Sequence, residues 1–313
     1  MSAQSLSSRA IIGEFYKTLQ IDPGAWAPLV SMLFNSDQDS EEYVWLGQSP
    51  AMREWVGGRH AKGFLENGIT VKNKHYEATI EVLVREMRRD KTGQVMTRIR
   101  ELAQRTNSHW ASLLSTLIVN AESTVCYDGQ YFFDTDHSEG SSGTQSNDIQ
   151  VDISALPVAT NGTTTVPSVE EFQQAMLQGV TQIQTFVDDQ GEPMNENAMN
   201  FLCMVPPSYG FTARNALAMP ANAGTTVMQP LGGFNIGLAV NPRLSTWTTK
   251  FALFRTDGSV KPFIRQQETG VMLKAKAEGS EYEFDNDAHQ YGVDTWRNVG
   301  YGYWQHACLV TLA

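Results

Sequence analysis

The chain has 313 residues, 41% of them hydrophobic and 18% charged, which supports a packed core and excludes an intrinsically disordered protein. Its formal net charge is −11 and it has no Lys/Arg-rich tail, which argues against tight nucleic-acid binding by phosphate neutralisation. Met1 to Arg9 is polar and no apolar run is long enough to span a bilayer, so no membrane partner and folding in the cytoplasm are expected.

Ile11, Ile12, Phe15 and Leu19 share a helical face, Asp22-Pro23-Gly24 makes a turn, and a second apolar patch follows at Leu29, Val30, Leu33 and Phe34. This reads as an arm. A stretch rich in Trp, Gly and charge comes next, and beyond it Ile80, Val82 and Val84 alternate with Glu81, Leu83 and Arg85 in the period-2 pattern of a strand. The segment reads as an extended β-ribbon with little core of its own, which needs a partner to lie against. Its charge is distinctive: Arg53 to Arg105 holds 12 of the 23 Lys+Arg and 7 of the 34 Asp+Glu, a local balance of +5 against −16 elsewhere. A basic ribbon on an acidic body can steer copies of the chain together. Trp45, Arg53, Trp55, Arg59, Lys62, Lys72 and Lys74 are therefore the candidate subunit-interface residues. The alternative is an ordinary solvated, charge-mixed surface.

Gln94 to Val119 contains no Gly or Pro, and its apolar residues recur at helical spacing, predicting one long helix; the alternative is a break near Thr106-Asn107-Ser108. A polar Ser/Gly loop runs from Ser138 to Asn147. Ser168 and Glu171 have capping-box spacing ahead of Phe172, Met176, Val180, Ile183 and Val187, predicting a second helix. Phe201 to Val205, stopped by Pro206-Pro207, predicts a buried strand. Further strands are expected at Phe251–Phe254, Lys261–Ile264, Val271–Lys276 and Trp304–Leu312, with turns at Asp257-Gly258 and Glu278-Gly279. The fold class is α+β.

No phosphate-binding loop, nucleophile elbow or HExxH motif is present, and Cys126, Cys203 and Cys308 lack metal or redox spacing. No cofactor is expected, and the cysteines are expected to be buried thiols. Asp134, Asp136 and His137 could together hold a divalent metal and activate water. They also have the composition of a tight bend, because Asp side chains bond nearby backbone N–H groups, and the structural reading is preferred. The tryptophans suggest contacts rather than a ligand cage.

Several of these segments in order, Tyr43-Val44-Trp45-Leu46-Gly47, Met52-Arg53-Glu54-Trp55-Val56-Gly57, Ile69-Thr70-Val71-Lys72-Asn73-Lys74, and Cys126-Tyr127-Asp128-Gly129-Gln130 running into Phe133-Asp134-Thr135-Asp136-His137, resemble the Mu-like prophage major head subunit family. The resemblance covers nearly the whole chain and departs at Ser138, where proline is expected. It implies a tailed-phage capsid fold of Hong Kong 97 type. The N-terminal arm would occupy 1–35, the E-loop region 36–92, the spine helix and peripheral domain 93–165, the axial domain 166–245, and C-terminal strands, mainly of the peripheral domain, 246–313. It further implies self-assembly into pentamers and hexamers of an icosahedral shell that encloses double-stranded DNA without specific binding. The chain would reside in the virion after assembly in the host cytoplasm, and it would not be an enzyme. No long charged coiled coil precedes the arm, so a scaffolding protein and a maturation protease are expected as separate chains, beside a portal and decoration or minor capsid proteins. The rival readings are an encapsulin-like nanocompartment shell and a metal-dependent hydrolase at Asp134, Asp136 and His137.

Overall fold

The computed structural model describes residues 8–21, 26–43, 68–89, 93–218 and 233–313. Along them run α1 (Ser8–Ile21), α2 (Ala27–Val30), β1 (Ser31–Asn35), β2 (Ser40–Tyr43), β3 (Ile69–Lys72), β4 (Lys74–Leu83), α3 (Val84–Arg89), α4 (Gln94–Val119) and β5 (Asp148–Val151). There follow α5 (Val169–Thr185), β6 (Asn200–Val205), α6 (Gly210–Ala218), β7 (Asn235–Val240), β8 (Lys250–Arg255), β9 (Phe263–Lys276), α7 (Glu281–Asn286), β10 (Ala288–Tyr301) and β11 (Ala307–Leu312). The strands form a four-stranded sheet ordered β1-β9-β10-β4, a five-stranded sheet ordered β5-β11-β8-β6-β7, and the β2-β3 pair.

The long helix is continuous, with the bounds its apolar spacing predicts, and at 1.5 Å per residue it is about 39 Å long. No break occurs at Thr106: its hydroxyl donates to Leu102 O at 2.8 Å, and its own carbonyl accepts from Arg297 Nη2 at 3.0 Å. The helix serves two cores. Val95, Ile99, Leu102 and Ala103 pack with Ile11 and Phe15 of α1 and with Val82, Tyr291 and Val293 of the four-stranded sheet. Leu114 and Ile118 belong to the larger core around the five-stranded sheet and α5. The N-terminal segment is thus docked at two places, through α1 on α4 and through β1, which pairs in parallel with β9 from Ser31↔Phe263 to Asn35↔Gln267.

The capping box at the head of α5 is complete: Ser168 Oγ accepts from Glu171 N at 3.1 Å, and Glu171 Oε2 accepts from Ser168 N at 2.8 Å. Farther along, Gly179 lets this helix lie directly on β8 and β11, since a Cβ there would sit 2.5 Å from Leu253 Cδ1 and 2.8 Å from Val310 Cγ2.

Several details depart from the sequence reading: the last strand begins at Ala307, after a 3-10 turn at Trp304–His306, and α5 ends at Thr185, short of Val187. Val84 opens α3 instead of closing the strand. Phe263–Ile264 and Val271–Lys276 are two ends of one strand, β9, which runs through Gly270. The 14-residue β10, the partner of both β4 and β9, carries no strand assignment from sequence. Its inward face includes His289, Thr295 and Arg297 on either side of Tyr291 and Val293, so the polar residues mask its period-2 pattern.

Candidate functional site

Of the seven candidate interface residues, Trp45, Arg53, Trp55, Arg59 and Lys62 lie outside the described residues. The remaining two sit at the root of the ribbon, Lys72 on β3 and Lys74 heading β4, both exposed. Lys72 Nζ lies 3.4 Å from Asp39 of its own chain, with both side chains about 70% exposed, so the pair contributes at most about 1 kcal/mol. The root itself is firmly held. Asn73 is buried and donates to Gln38 O at 2.7 Å and Ser36 Oγ at 3.1 Å. Tyr43 OH donates to Gln266 Oε1 at 2.8 Å, and Gln266 Nε2 donates to Val71 O at 3.0 Å. Burial and then the nearby Glu41 push the Tyr43 phenol up to about 12, so it keeps its proton as a donor. Gly300 allows the close crossing, because a Cβ there would stand 2.6 Å from Val71 Cγ2.

Asp134 and Asp136 lie beside each other, but His137 is not gathered with them into one site. Asp134 accepts from Tyr131 N and Thr135 N at 3.2 and 2.7 Å, the bend chemistry expected of it, and Asp136 is exposed. His137 turns inward. Its Nδ1 lies 2.6 Å from Asp128 Oδ2, and Cys126 Sγ donates to Asp128 Oδ1 at 2.9 Å. The Asp128 backbone can turn this way because Gly129 takes φ +87°. His137 is fully buried and stacks on Trp304. Burial raises the Asp128 carboxyl, but the bonds from His137 and Cys126 outweigh it and hold it below its ordinary value. Burial, followed by Asp128, pushes the Cys126 thiol upward.

Cys126, Asp128 and His137 are metal-ligating types whose donor atoms lie within 4.8 Å of one another. Their contacts of 2.9 and 2.6 Å are nevertheless hydrogen-bond distances, whereas metal bonds of about 2.0–2.3 Å at tetrahedral angles hold ligand atoms more than about 3 Å apart. The arrangement is a carboxylate hub that accepts from Cys126, His137 and the Gln130 backbone N–H within the segment after α4, and the stack of His137 on Trp304 ties that segment to the one before β11. Sequence reading found the His and missed its partners. Cys203 and Cys308 are also buried and free, as expected.

The family model described as Mu-like prophage major head subunit gpT matches residues 6–157 and 232–311. The chain belongs to this family. Within the gpT family it is similar to the Mu-like prophage FluMu major head subunit of Haemophilus influenzae, 30% identical over 282 residues, covering 90% of this chain and 64% of that protein. It is also similar to the major capsid protein of Escherichia phage Mu, 30% identical over 136 residues, covering 41% and 45% of the two chains. The chain therefore spans less than two thirds of the length of either curated relative. Among solved structures it resembles a chain of the procapsid of bacteriophage JBD30 with a TM-score of 0.57 at 22% identity, over 97% of this chain and 74% of that one. It resembles a virus-like particle from Pyrococcus furiosus with a TM-score of 0.52 at 10% identity, over 96% and 98%. At such identities these matches show the fold, the α+β fold of phage capsid subunits of Hong Kong 97 type. The long helix, the paired long strands and the docked N-terminal segment of this gpT family member agree with it.

Proposed function

We propose that the chain is the major capsid protein of a tailed bacteriophage, a structural subunit and not an enzyme, assembling into pentamers and hexamers of an icosahedral shell around double-stranded DNA. The observation that carries this reading is the gpT family match on both sides of residues 158–231, in a chain with the fold of a phage procapsid subunit over 97% of its length. On this reading α1, α2 and β1 lie in the arm of 1–35, β2 to α3 in the E-loop region of 36–92, and α4 and β5 in 93–165. The axial domain takes in α5, β6, α6 and β7 in 166–245, and 246–313 is mainly peripheral, with β8 and β11 reaching into the five-stranded sheet that also holds β6 and β7. The acidic composition suits a container that must hold DNA without adsorbing it. Scaffolding protein, maturation protease, portal and decoration proteins are separate partners, and the shell assembles in the host cytoplasm before residing in the virion.

The fold likeness to the Pyrococcus furiosus virus-like particle supports a second reading, a nanocompartment shell. Family membership favours the phage head. Expression with a scaffold partner, followed by electron microscopy and nuclease protection, tests both: closed particles that protect DNA in infected cells support the head, particles filled with a protein cargo support the compartment, and monomers and dimers at every concentration and salt overturn both. The hydrolase reading finds no support in a His137 that faces Asp128 and not Asp134 or Asp136.

A further inference from the structure

A cleft of about 610 Å³ lies between α4 and the β4/β10 pair. Its apolar floor comes from Ile80, Leu102 and Val293, and three arginines, Arg98, Arg105 and Arg297, reach it, against Glu77 and Glu101. Arg297 is the unusual one. It is 2% exposed and has no carboxylate partner among the described residues. Its guanidinium is engaged by the Thr106 carbonyl and by the face of Trp110 at 4.8 Å, and its Nε has no partner. A buried cation normally has an anion beside it, because desolvating an uncompensated charge is costly. Arg98 and Arg105, two helical turns apart on the exposed face of α4, add positive charge at the cleft mouth.

The opposite chemistry stands at the end of the β9–β10 hairpin. Glu278, Glu281, Glu283, Asp285 and Asp287 occur there within ten residues, without a Lys or Arg. Glu283 is taken by His289 at 3.0 Å and Glu278 by Ser8 N at 3.2 Å, while Glu281, Asp285 and Asp287 are exposed. Between them Phe284 is 91% exposed. A lone, fully presented aromatic ring flanked by carboxylates is the form of an interface anchor. The tip is held rigidly for this role, since Tyr282 OH bonds Glu81 of β4 and Ser280 caps α7 at 3.2 Å. The exposure of Phe284 also shows that the tip does not fold into its own cleft.

We propose that the acidic tip Glu281–Asp287 of one copy docks in the arginine-lined cleft of a second copy, with Phe284 on the Ile80/Leu102/Val293 floor and tip carboxylates supplying the counter-charge to Arg98, Arg105 and Arg297. The occupant is a second copy of this chain because the tip supplies both what the cleft lacks and what the tip itself leaves uncovered. Tip and cleft are different surfaces, so the contact is head-to-tail and closes only as a ring, which suits a junction where several subunits meet. The inference rests on the shell-forming reading.

Cross-linking in the full chain tests it. The three native cysteines are buried, so Asn286→Cys on the exposed tip, which leaves Phe284 in place, and Glu77→Cys on exposed β4 introduce the only accessible thiols among the described residues. In oxidised particles the double variant should form disulfide-linked multimers on a non-reducing gel, and each single variant should not. Arg98→Glu with Arg105→Glu should cut particle yield at least tenfold with the melting temperature of the subunit unchanged, and adding Glu281→Arg with Asp285→Arg should restore it. Particles that form from the double-cysteine variant without the cross-link overturn the contact and leave the shell reading standing. A groove reversal that blocks assembly and is not rescued by the tip reversal means another occupant and also overturns it. If the unmodified chain makes no particles with its scaffold, the shell reading fails and this contact falls with it.

Discussion

The imidazole of His137 lies flat against the indole of Trp304, with ring centroids 4.0 Å apart and planes 9° from parallel. One ring belongs to the bend after α4 and the other to the turn that leads into β11, so the stack joins distant parts of the chain, while the His137–Asp128 bond fixes the ring within its own segment. His137→Ala removes the stack and leaves the buried Asp128 carboxylate with one donor fewer. It should destabilise the subunit by about 2–4 kcal/mol, read from urea unfolding. Asp134→Ala should cost about 1 kcal/mol, the value of turn hydrogen bonds at a part-exposed site. Zinc should not raise the melting temperature of the unmodified protein. Stoichiometric zinc binding that Asp134→Ala abolishes with the fold intact would return the acidic bend to a metal role.

Stability should fall as the solution is acidified from pH 6.5 towards 4.5. Burial first, then Arg255 and Lys261, push His306 down to about 3. Burial first, then Arg297 and Arg243, push His109 down to about 4. Unfolded, both take a proton near pH 6.5; folded, they stay neutral through that window, so the unfolded state gains protons and stability drops as pH falls. Asp148 opposes this, because burial and then Glu122 raise it from 3.8 to about 6, and the folded state takes its proton first. Glu139, raised by burial, acts in the same sense as Asp148, but the two histidines stay neutral across the whole window and outweigh them. Thermal melts from pH 7 to 4.5 should show a declining midpoint, and His306→Gln should flatten the decline. A midpoint that rises on acidification would show that Asp148 and Glu139 dominate.

At Gly179 helix propensity and packing pull in opposite directions. Alanine in an exposed helix interior is favoured over glycine by about 1 kcal/mol, but here the new methyl would meet Leu253 and Val310 inside 3 Å, an overpacking cost of about 1–3 kcal/mol. Gly179→Ala should therefore lower stability in chemical denaturation. Shortening the neighbours, with Leu253→Ala and Gly179→Ala together, should cost less than the sum of the two single changes.

Charge reversal of the ribbon at Arg59, Lys62, Lys72 and Lys74 together should leave the subunit folded and prevent correct shells, since weak contacts are repeated over every copy. Lys72→Glu alone should do little, because its nearest carboxylate is Asp39 of the same chain. The checks are circular dichroism for the fold and sedimentation of the products at two salt concentrations. Normal particles from the fourfold variant with unchanged salt response would move the contact from charge to the ribbon's Trp and Gly residues.

The parts of the fold legible in the sequence are those governed by local rules. Gln94–Val119 lacks breakers and keeps one apolar face, and Ser168 with Glu171 supplies its own cap, so both helices can be placed without knowing their neighbours. The buried strand at Phe201–Val205 is set off by Pro206-Pro207. β10 is hidden because its inward residues are chosen by distant partners: Arg297 by Thr106 and Trp110, His289 by Glu283, Thr295 by Thr269. The acidic bend shows the same limit. Asp134 and Asp136 lie beside His137 in sequence, but the His137–Gln145 bridge turns the ring inward, and the partners it meets are Asp128, Cys126 and Trp304. The acid-rich Glu-Tyr-Glu-Phe-Asp-Asn-Asp run was visible as composition; the exposure of Phe284 depends on where the hairpin ends.

The strand pairing also sets a clock on synthesis. β1 waits for β9, with Ser31 beside Phe263; β4 waits for β10, with Lys74 beside Arg297; β5 waits for β11, with Asp148 beside Leu309. Neither large sheet can close before residues 263–312 have been made. Such non-local pairing slows folding and prolongs the life of open, sticky intermediates. Helices such as α4 and α5 can form early, but both sheets keep unpaired edges until β9, β10 and β11 are released, and those open edges are where two nascent chains can pair wrongly.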